Sequence, residues 1–345
     1  MRAVVLRDGR LQVRDTPDPE PGPGHLLLRT LSCAICASDV HFMDHGGQGD
    51  PDDPLFGGYD PHRDIVMGHE FVGEVVGHGP GVDAGRFPIG ARVTSIPFLP
   101  AEGGGHIIGQ HADAPGGFGE LMLVGQDLAR LVPDDITDDA VALVDAFAVG
   151  EGYASLAGLT DRDVPVVVGA GAIGLSAVAA LKRRGITPII VSDFNADRRD
   201  LATAFGADFV VDPAAQSPYD VWRRHAYAAV ANPRCVIFEC VGAPGIVDRI
   251  VADCPHNSLV CCAGGHYTED TLAIAPATRK GIRLQFGGAP GFEDWYDTLA
   301  AVCDGSLDPR PSIGMTIGLD EVPEALAMAR KAQGPPRIIV KPQGA

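Results

Sequence analysis

The chain has 345 residues, 46% hydrophobic and 21% charged, which is enough apolar material for a large core in two domains and ordinary for a globular protein. Its 45 acidic and 27 basic side chains give a formal net charge of −18, which argues against nucleic acid or an anionic membrane as partner, since both need clustered cations. Eight cysteines, at 33, 36, 235, 240, 254, 261, 262 and 303, form no compact disulfide framework, and MRAVVLRDGRLQV lacks the apolar run of a signal peptide, so reduced thiols and a cytoplasmic location are expected.

Residues 1 to about 145 read as β-rich. Short apolar runs at Ala3–Leu6, Leu26–Leu31, Phe71–Val76 and Arg92–Ile96 are separated by Gly/Pro/Asp turns, and Pro17–Gly24 is too turn-rich for a regular element. Two short segments here carry metal-binding residues: Cys36-Ala37-Ser38-Asp39-Val40-His41 and Gly68-His69-Glu70. A thiolate and an imidazole from separate segments suit zinc, which takes sulfur and nitrogen donors in a tetrahedral shell. Cys33 and Cys36 also have the spacing of a redox pair or half a zinc finger. No second pair follows at finger spacing and no βαβ pattern surrounds them, so Cys36 is read as the ligand and Cys33 as a small core residue. The loop from Phe42 to Val66 is rich in Gly, Pro and Asp and is expected to border a substrate pocket. Its His45, Asp60, His62 and Arg63 hint at a polar substrate.

The stretch Ala140–Gly150 is apolar and reads as helical, with Asp145 its only charge. A buried carboxylate without a partner costs several kcal/mol, so a cation is expected beside it, and Asp145 is the candidate third zinc ligand. Glu70 is expected beside the metal or as a transient fourth ligand.

From about residue 160 the rhythm changes. Val164–Val168, Ile189–Val191, Phe209–Val211, Cys235–Cys240 and Ser258–Ala263 are short apolar strands with helical stretches between them, the pattern of a parallel doubly wound sheet, and Arg283–Phe286 is a last strand candidate. The uncharged run Val164–Leu181 is read as a buried strand turning into a buried helix rather than a membrane span. Its middle, Gly169-Ala170-Gly171-Ala172-Ile173-Gly174, follows a strand and opens a helix, the context that makes G-x-G-x-x-G a dinucleotide fingerprint. The next strand ends in Asp193, placed to accept from both ribose hydroxyls and to repel a 2′-phosphate, so NAD is favoured over NADP. Arg198 and Arg199 lie close by and would suit a 2′-phosphate. A helix at Trp295–Cys303, an extended segment and a helix at Glu321–Ala332 lead to a closing strand, Arg337–Val340, which would return to the first domain. The expected division is 1–150, 151–288 and 289–345.

Together, Cys36-x-Ser38-Asp39-x-His41, Gly68-His69-Glu70, an acid at 145 and Gly169-x-Gly171-x-x-Gly174 resemble the zinc-dependent medium-chain alcohol dehydrogenase family over nearly the whole chain. The resemblance implies an α/β protein with a GroES-like β-barrel catalytic domain and a Rossmann domain. It makes Cys36, His69 and Asp145 the zinc ligands, Ser38 and His41 a proton relay, Asp39 the group behind a zinc ligand, and Asp193 the ribose acid. It places Gly264-Gly265 and Phe286-Gly287-Gly288 near the nicotinamide. Many relatives hold a structural zinc with four close cysteines. The corresponding stretch, Thr94 to Gly119, has none, so one catalytic zinc per chain is expected, with His106 and His111 as loop residues. The implied reaction passes a hydride between a small alcohol, a secondary alcohol or polyol first, and NAD, in a homodimer or homotetramer. A zinc-free enoyl or quinone reductase needs no Cys36/His69 pair, and a catalytically silent NAD-binding protein needs no relay.

Overall fold

The structure, a computed structural model, describes residues 1–46, 59–102, 104–266, 269–287, 290–331 and 334–344. It divides into two units, Met1–Asp145 with Asp308–Ala345, and Ala146–Leu307.

The first unit opens with the hairpin β1 (Arg2–Arg7) and β2 (Arg10–Asp15). Asp8 and Gly9 join them at φ 49° and 71°, the left-handed pair that a tight hairpin turn requires. Strand β3 (His25–Ile35) is the hub, and helix α1 (Ala37–His45) follows it directly. Then come β4 (Ile65–Val66), β5 (Glu70–His78), β6 (Arg92–Ser95), β7 (Phe98–Ala101), β8 (Gly104–Ile107), β9 (Leu121–Gly125) and β10 (Ala129–Leu131). The single helix expected around 140–150 is broken at Leu143 into α2 (Asp138–Ala142) and α3 (Val144–Leu156).

The second unit alternates β11 (Asp163–Val168), α4 (Ala172–Arg183), β12 (Ile190–Ser192), α5 (Ala196–Phe205), β13 (Phe209–Val211), α6 (Pro218–Ala229), β14 (Arg234–Glu239), α7 (Ile246–Asp253), β15 (Leu259–Cys262), α8 (Ile274–Lys280), β16 (Arg283–Phe286) and α9 (Phe292–Cys303). Its six strands are all parallel, in the order β13-β12-β11-β14-β15-β16. Alternate strand residues fill two cores. Val167, Val191, Val236 and Phe238 pack with α4, while Val166, Ile190, Cys235 and Ile237 pack with α6 and α7. The uncharged run therefore lies in β11 and α4, and among the described residues no helix is long and apolar enough to cross a membrane.

The remaining elements are β17 (Ile313–Ile317), α10 (Val322–Arg330) and β18 (Arg337–Val340). Strand β18 pairs antiparallel with β3 and parallel with β17, which completes the order β10-β6-β5-β3-β18-β17, with β9 also on β3. Ile317, Val322 and Leu326 share one core with Leu26, Leu28 and Phe71. Unlike the expected division at 288, α9 belongs to the second unit, and the chain crosses back after Leu307. The expected helix end at Ala332 lies outside the described residues.

Candidate metal and cofactor sites

Strand pairing brings the two metal-binding segments together. Ala34 of β3 is opposite Glu70 of β5, and Ile35 is opposite Ile338 of β18, so Cys36, His69-Glu70 and Arg337 meet at one end of these three adjacent strands. Cys36 is the N-cap of α1, and its backbone N–H donates to Asp39 Oδ2 at 2.9 Å, which ties the first turn down. The donor atoms of Cys36, His69 and Glu70 all lie within 4.8 Å of one another.

Around them is a buried shell of charge. Asp39 is fully buried, and its Oδ1 lies 3.1 Å from His69 Nδ1, close as charges though not aligned as a hydrogen bond. An acid at Nδ1 holds the imidazole with Nε2 turned toward the cluster, where the Ser38 hydroxyl lies 3.0 Å away. Burial lowers the His69 pKa, but Asp39 and Cys36 more than offset this and hold it well above 6.5. Burial likewise raises the Cys36 thiol, and His69 and Arg337 overcome it, leaving the thiol below its ordinary value. Glu70 pairs with Arg337, each 1% exposed.

This shell tests whether a metal fits. With Cys36 counted as a thiolate and His69 as neutral, as metal binding requires, the shell holds three negative charges on Cys36, Asp39 and Glu70, and Arg337 returns one, which leaves two for a divalent cation to neutralise. Apart from the ion pair with Arg337, among the described residues neither Glu70 oxygen has an aligned hydrogen-bond donor. Sulfur, nitrogen and carboxylate donors in a buried site suit zinc.

Asp145 is not in this group, so the structure assembles Cys36 and His69 with Glu70 rather than with the expected third ligand. Asp145 occupies the first turn of α3. Cys33 is fully buried in the core. His106 and His111 stack with ring centres 3.6 Å apart and, with Asp113, form a second close group. Parallel rings do not converge on one ion, and Arg63 already holds Asp113 through Nη1 at 2.9 Å. Of the polar residues expected in the 42–66 loop, His62 pairs with Asp8 at 2.6 Å and Arg63 with Asp113, whereas His45 ends α1, and the stretch 47–58 lies outside the described residues.

In the second unit the three fingerprint glycines differ in what demands them. Gly169 has φ 92°, and a Cβ there would come within 2.7 Å of Val241. A Cβ on Gly174 would overlap the Gly169 carbonyl oxygen. Gly171 has open space where a Cβ would go, so no atom of the described residues requires glycine there, and that space would admit a pyrophosphate. Ala172 and Ile173 form the first turn of α4 just beyond it.

Asp193 follows β12, with Oδ2 accepting from Ala170 N–H at 2.7 Å and Oδ1 from Asn195 N–H at 2.8 Å. It does not cap α5. Asn195 does, accepting from Arg198 N–H at 3.1 Å. Arg199 is tied to the carbonyls of Asp193 and Phe194, whereas Arg198 is half-buried beside them. Gly264 and Gly265 pack against Gly242, Phe286 is 62% exposed at the end of β16, and the Gly287 carbonyl accepts from Tyr153 at 2.7 Å. Gly288 lies outside the described residues.

Two residues that the sequence reading passed over complete this end of the sheet. Glu239 is fully buried at the end of β14. Its Oε1 accepts from the N–H groups of Val241 and Gly242 at 2.7 and 2.8 Å, and its Oε2 lies 2.7 Å from His266 Nε2. A charge inside the apolar run Cys235–Cys240 was the available signal.

Residues 22–134 match the alcohol dehydrogenase GroES-like domain, and residues 172–303 match the zinc-binding dehydrogenase domain. An L-threonine 3-dehydrogenase of Rhizobium etli (strain CIAT 652) is 31% identical, with 93% of each chain covered, and one from Klebsiella pneumoniae (strain 342) is 29% identical over 92% of this chain and 93% of its own. Among solved structures, a zinc-binding dehydrogenase from Sinorhizobium meliloti 1021 bound to NADP superposes with a TM-score of 0.82 at 26% identity, covering 99% of both chains. Galactitol-1-phosphate dehydrogenase from Escherichia coli has the same fold at a TM-score of 0.81 and 22% identity, covering 99% of this chain and all of its own. The chain belongs to the zinc-dependent medium-chain dehydrogenase family, with a GroES-like domain and a Rossmann-type parallel sheet.

Proposed function

We propose that the protein is a zinc- and NAD-dependent alcohol dehydrogenase that oxidises a secondary carbinol, in a hydroxy amino acid or a polyol, to a ketone. The observation that carries this reading is the buried cluster of Cys36, His69 and Glu70, whose two unbalanced negative charges suit one divalent ion. Cys36 and His69 would hold the zinc with a carboxylate from Glu70, and Asp145 would be a further oxygen donor. Bound there, zinc supplies Lewis acidity to an alcohol oxygen, and NAD supplies the hydride acceptor.

The chain's own residues do the rest. Asp39 orients His69, and Arg337 balances Glu70. The Ser38 hydroxyl, beside His69 Nε2, takes the alcohol proton and passes it to His41, one turn further along α1. In the second unit, Gly171 leaves room for the pyrophosphate. Asp193 favours an unphosphorylated ribose and hence NAD, against the neighbouring Arg198 and Arg199, which would suit a 2′-phosphate, and although the Sinorhizobium meliloti structure holds NADP.

The relatives' threonine specificity supports testing L-threonine first, beside polyols and simple secondary alcohols. Steady-state oxidation of this panel with NAD and with NADP tests the reading. A preference for a secondary alcohol with NAD supports it, and turnover with NADP alone refutes the cofactor choice. Glu70→Gln and Asp145→Asn, each assayed for bound zinc, separate the carboxylate donors.

A further inference from the structure

The amino ends of the parallel strands carry a basic groove of 630 Å³ that the dehydrogenase reading leaves without a role. Arg162 precedes β11, Arg234 opens β14, and Lys280 ends α8 just before β16. The nucleotide loop follows the opposite end of β11. That strand has 6 residues, so at ~3.3 Å per residue the groove and the loop are roughly 20 Å apart.

In a chain of net charge −18, the groove is lined by three arginines and a lysine, and by no acid. Two of these cations are balanced from behind: Arg234 by the buried Asp163, and Arg223 by Asp220 at 2.7 Å. Lys280 spends its ammonium on the carbonyls of Val251, Ala252 and Cys254 at the end of α7, so no carboxylate neutralises it. The Arg162 guanidinium has no ion pair or hydrogen bond among the described residues and lies exposed at the rim. One wall is aromatic. Trp222 is 2% exposed and donates from Nε1 to the Val164 carbonyl at 3.0 Å, and Tyr227 meets it edge-on while 66% exposed. Asn232 and Asn257, both held at left-handed φ (52° and 58°), set the turns at either side.

We propose that this groove binds a small phosphorylated molecule bearing a flat ring, of the nucleoside monophosphate class. Arg162 and Arg223 would fork onto the phosphate, as guanidinium groups do, and the ring would cover Tyr227. A free cation beside an exposed aromatic face, in an otherwise strongly acidic chain, is the juxtaposition that selects this chemistry. The site is independent of the zinc cluster and of the nucleotide loop.

The chain's only two tryptophans make the test local, because Trp295→Phe leaves Trp222 as the sole reporter. The full-length Trp295→Phe protein is titrated with AMP in saturating NAD, and Trp222 emission is followed. A saturable change is expected that weakens with salt, is absent with adenosine, and is weakened roughly tenfold or more by Arg162→Glu, the loss of one charge-assisted contact. An Asp193→Ala variant, altered only beside the nucleotide loop, should respond as the parent does, which keeps the result separate from the NAD assignment. No saturable change with AMP, an equal change in Arg162→Glu, or loss of the change in Asp193→Ala would each overturn the proposal.

Discussion

Ser38, His41, Cys33 and Cys36 lie within nine residues and have very different environments. Ser38 touches His69 and no core, so Ser38→Ala should leave zinc bound while cutting turnover roughly 10²–10⁴-fold, the ordinary worth of a positioned proton acceptor. Unchanged turnover would remove Ser38 from the reaction. Burial, reinforced by neighbouring His45 and opposed by Asp44, holds the His41 imidazole below 6.5. A lowered pKa keeps His41 neutral and able to accept a proton at neutral pH. Oxidation should therefore fall only as pH drops through a value below 6.5, and that acid limb should vanish in His41→Gln. The same limb in the variant would assign it to another group. Cys36→Ala should abolish zinc binding, whereas Cys33→Ala should keep zinc and lose about 1 kcal/mol of stability by chemical denaturation, because Cys33 packs in the core. The meeting of Cys36 with His69 was legible in the sequence, since both sit in segments whose residue types have few other uses. Arg337 was not legible. It looks like the polar start of a closing strand, and only the pairing of that strand with β3 brings it to Glu70.

At the level of elements, the short strands Arg283–Phe286 and Arg337–Val340 were read with their observed limits, because Gly or Pro breaks stand close on both sides of each. The break at Leu143 was not readable, because the apolar composition continues through it and only a terminal bond, Leu143 N–H to the Ala140 carbonyl, marks the end of α2. Glu239 was overlooked although it gave the same signal as Asp145, a lone charge in an apolar run. Their settings differ: Glu239 closes a turn of its own chain, whereas Asp145 occupies the first turn of α3. The fingerprint makes a sharper prediction. Gly174→Ala should clash with the Gly169 carbonyl and destabilise the second unit by about 1–3 kcal/mol. Gly171→Ala should fold normally and lose NAD affinity, as isothermal titration would show. Equal melting losses in the two variants would deny Gly171 its role as a cradle.

For the molecule as a whole, the doubly wound sheet was legible because alternating strands and helices admit few arrangements. The site in the first unit was legible only in part, because it is assembled by a sheet in which one interior strand comes from the end of the chain. Strand β18 lies between β3 and β17 and carries the buried Arg337. Arg337→Met should therefore destabilise the protein by about 3–5 kcal/mol, through the unbalanced Glu70 it leaves, and lower zinc affinity less than Cys36→Ala does. The central claim is that one buried cluster holds one zinc that alcohol oxidation requires. Its most direct test is zinc per chain by mass spectrometry, measured with alcohol-dependent NAD reduction on the same preparations of parent and Cys36→Ala protein. One zinc per chain with turnover is expected in the parent, and neither in the variant. Turnover that survives the loss of zinc, or a metal-replete parent that binds none, would contradict that claim.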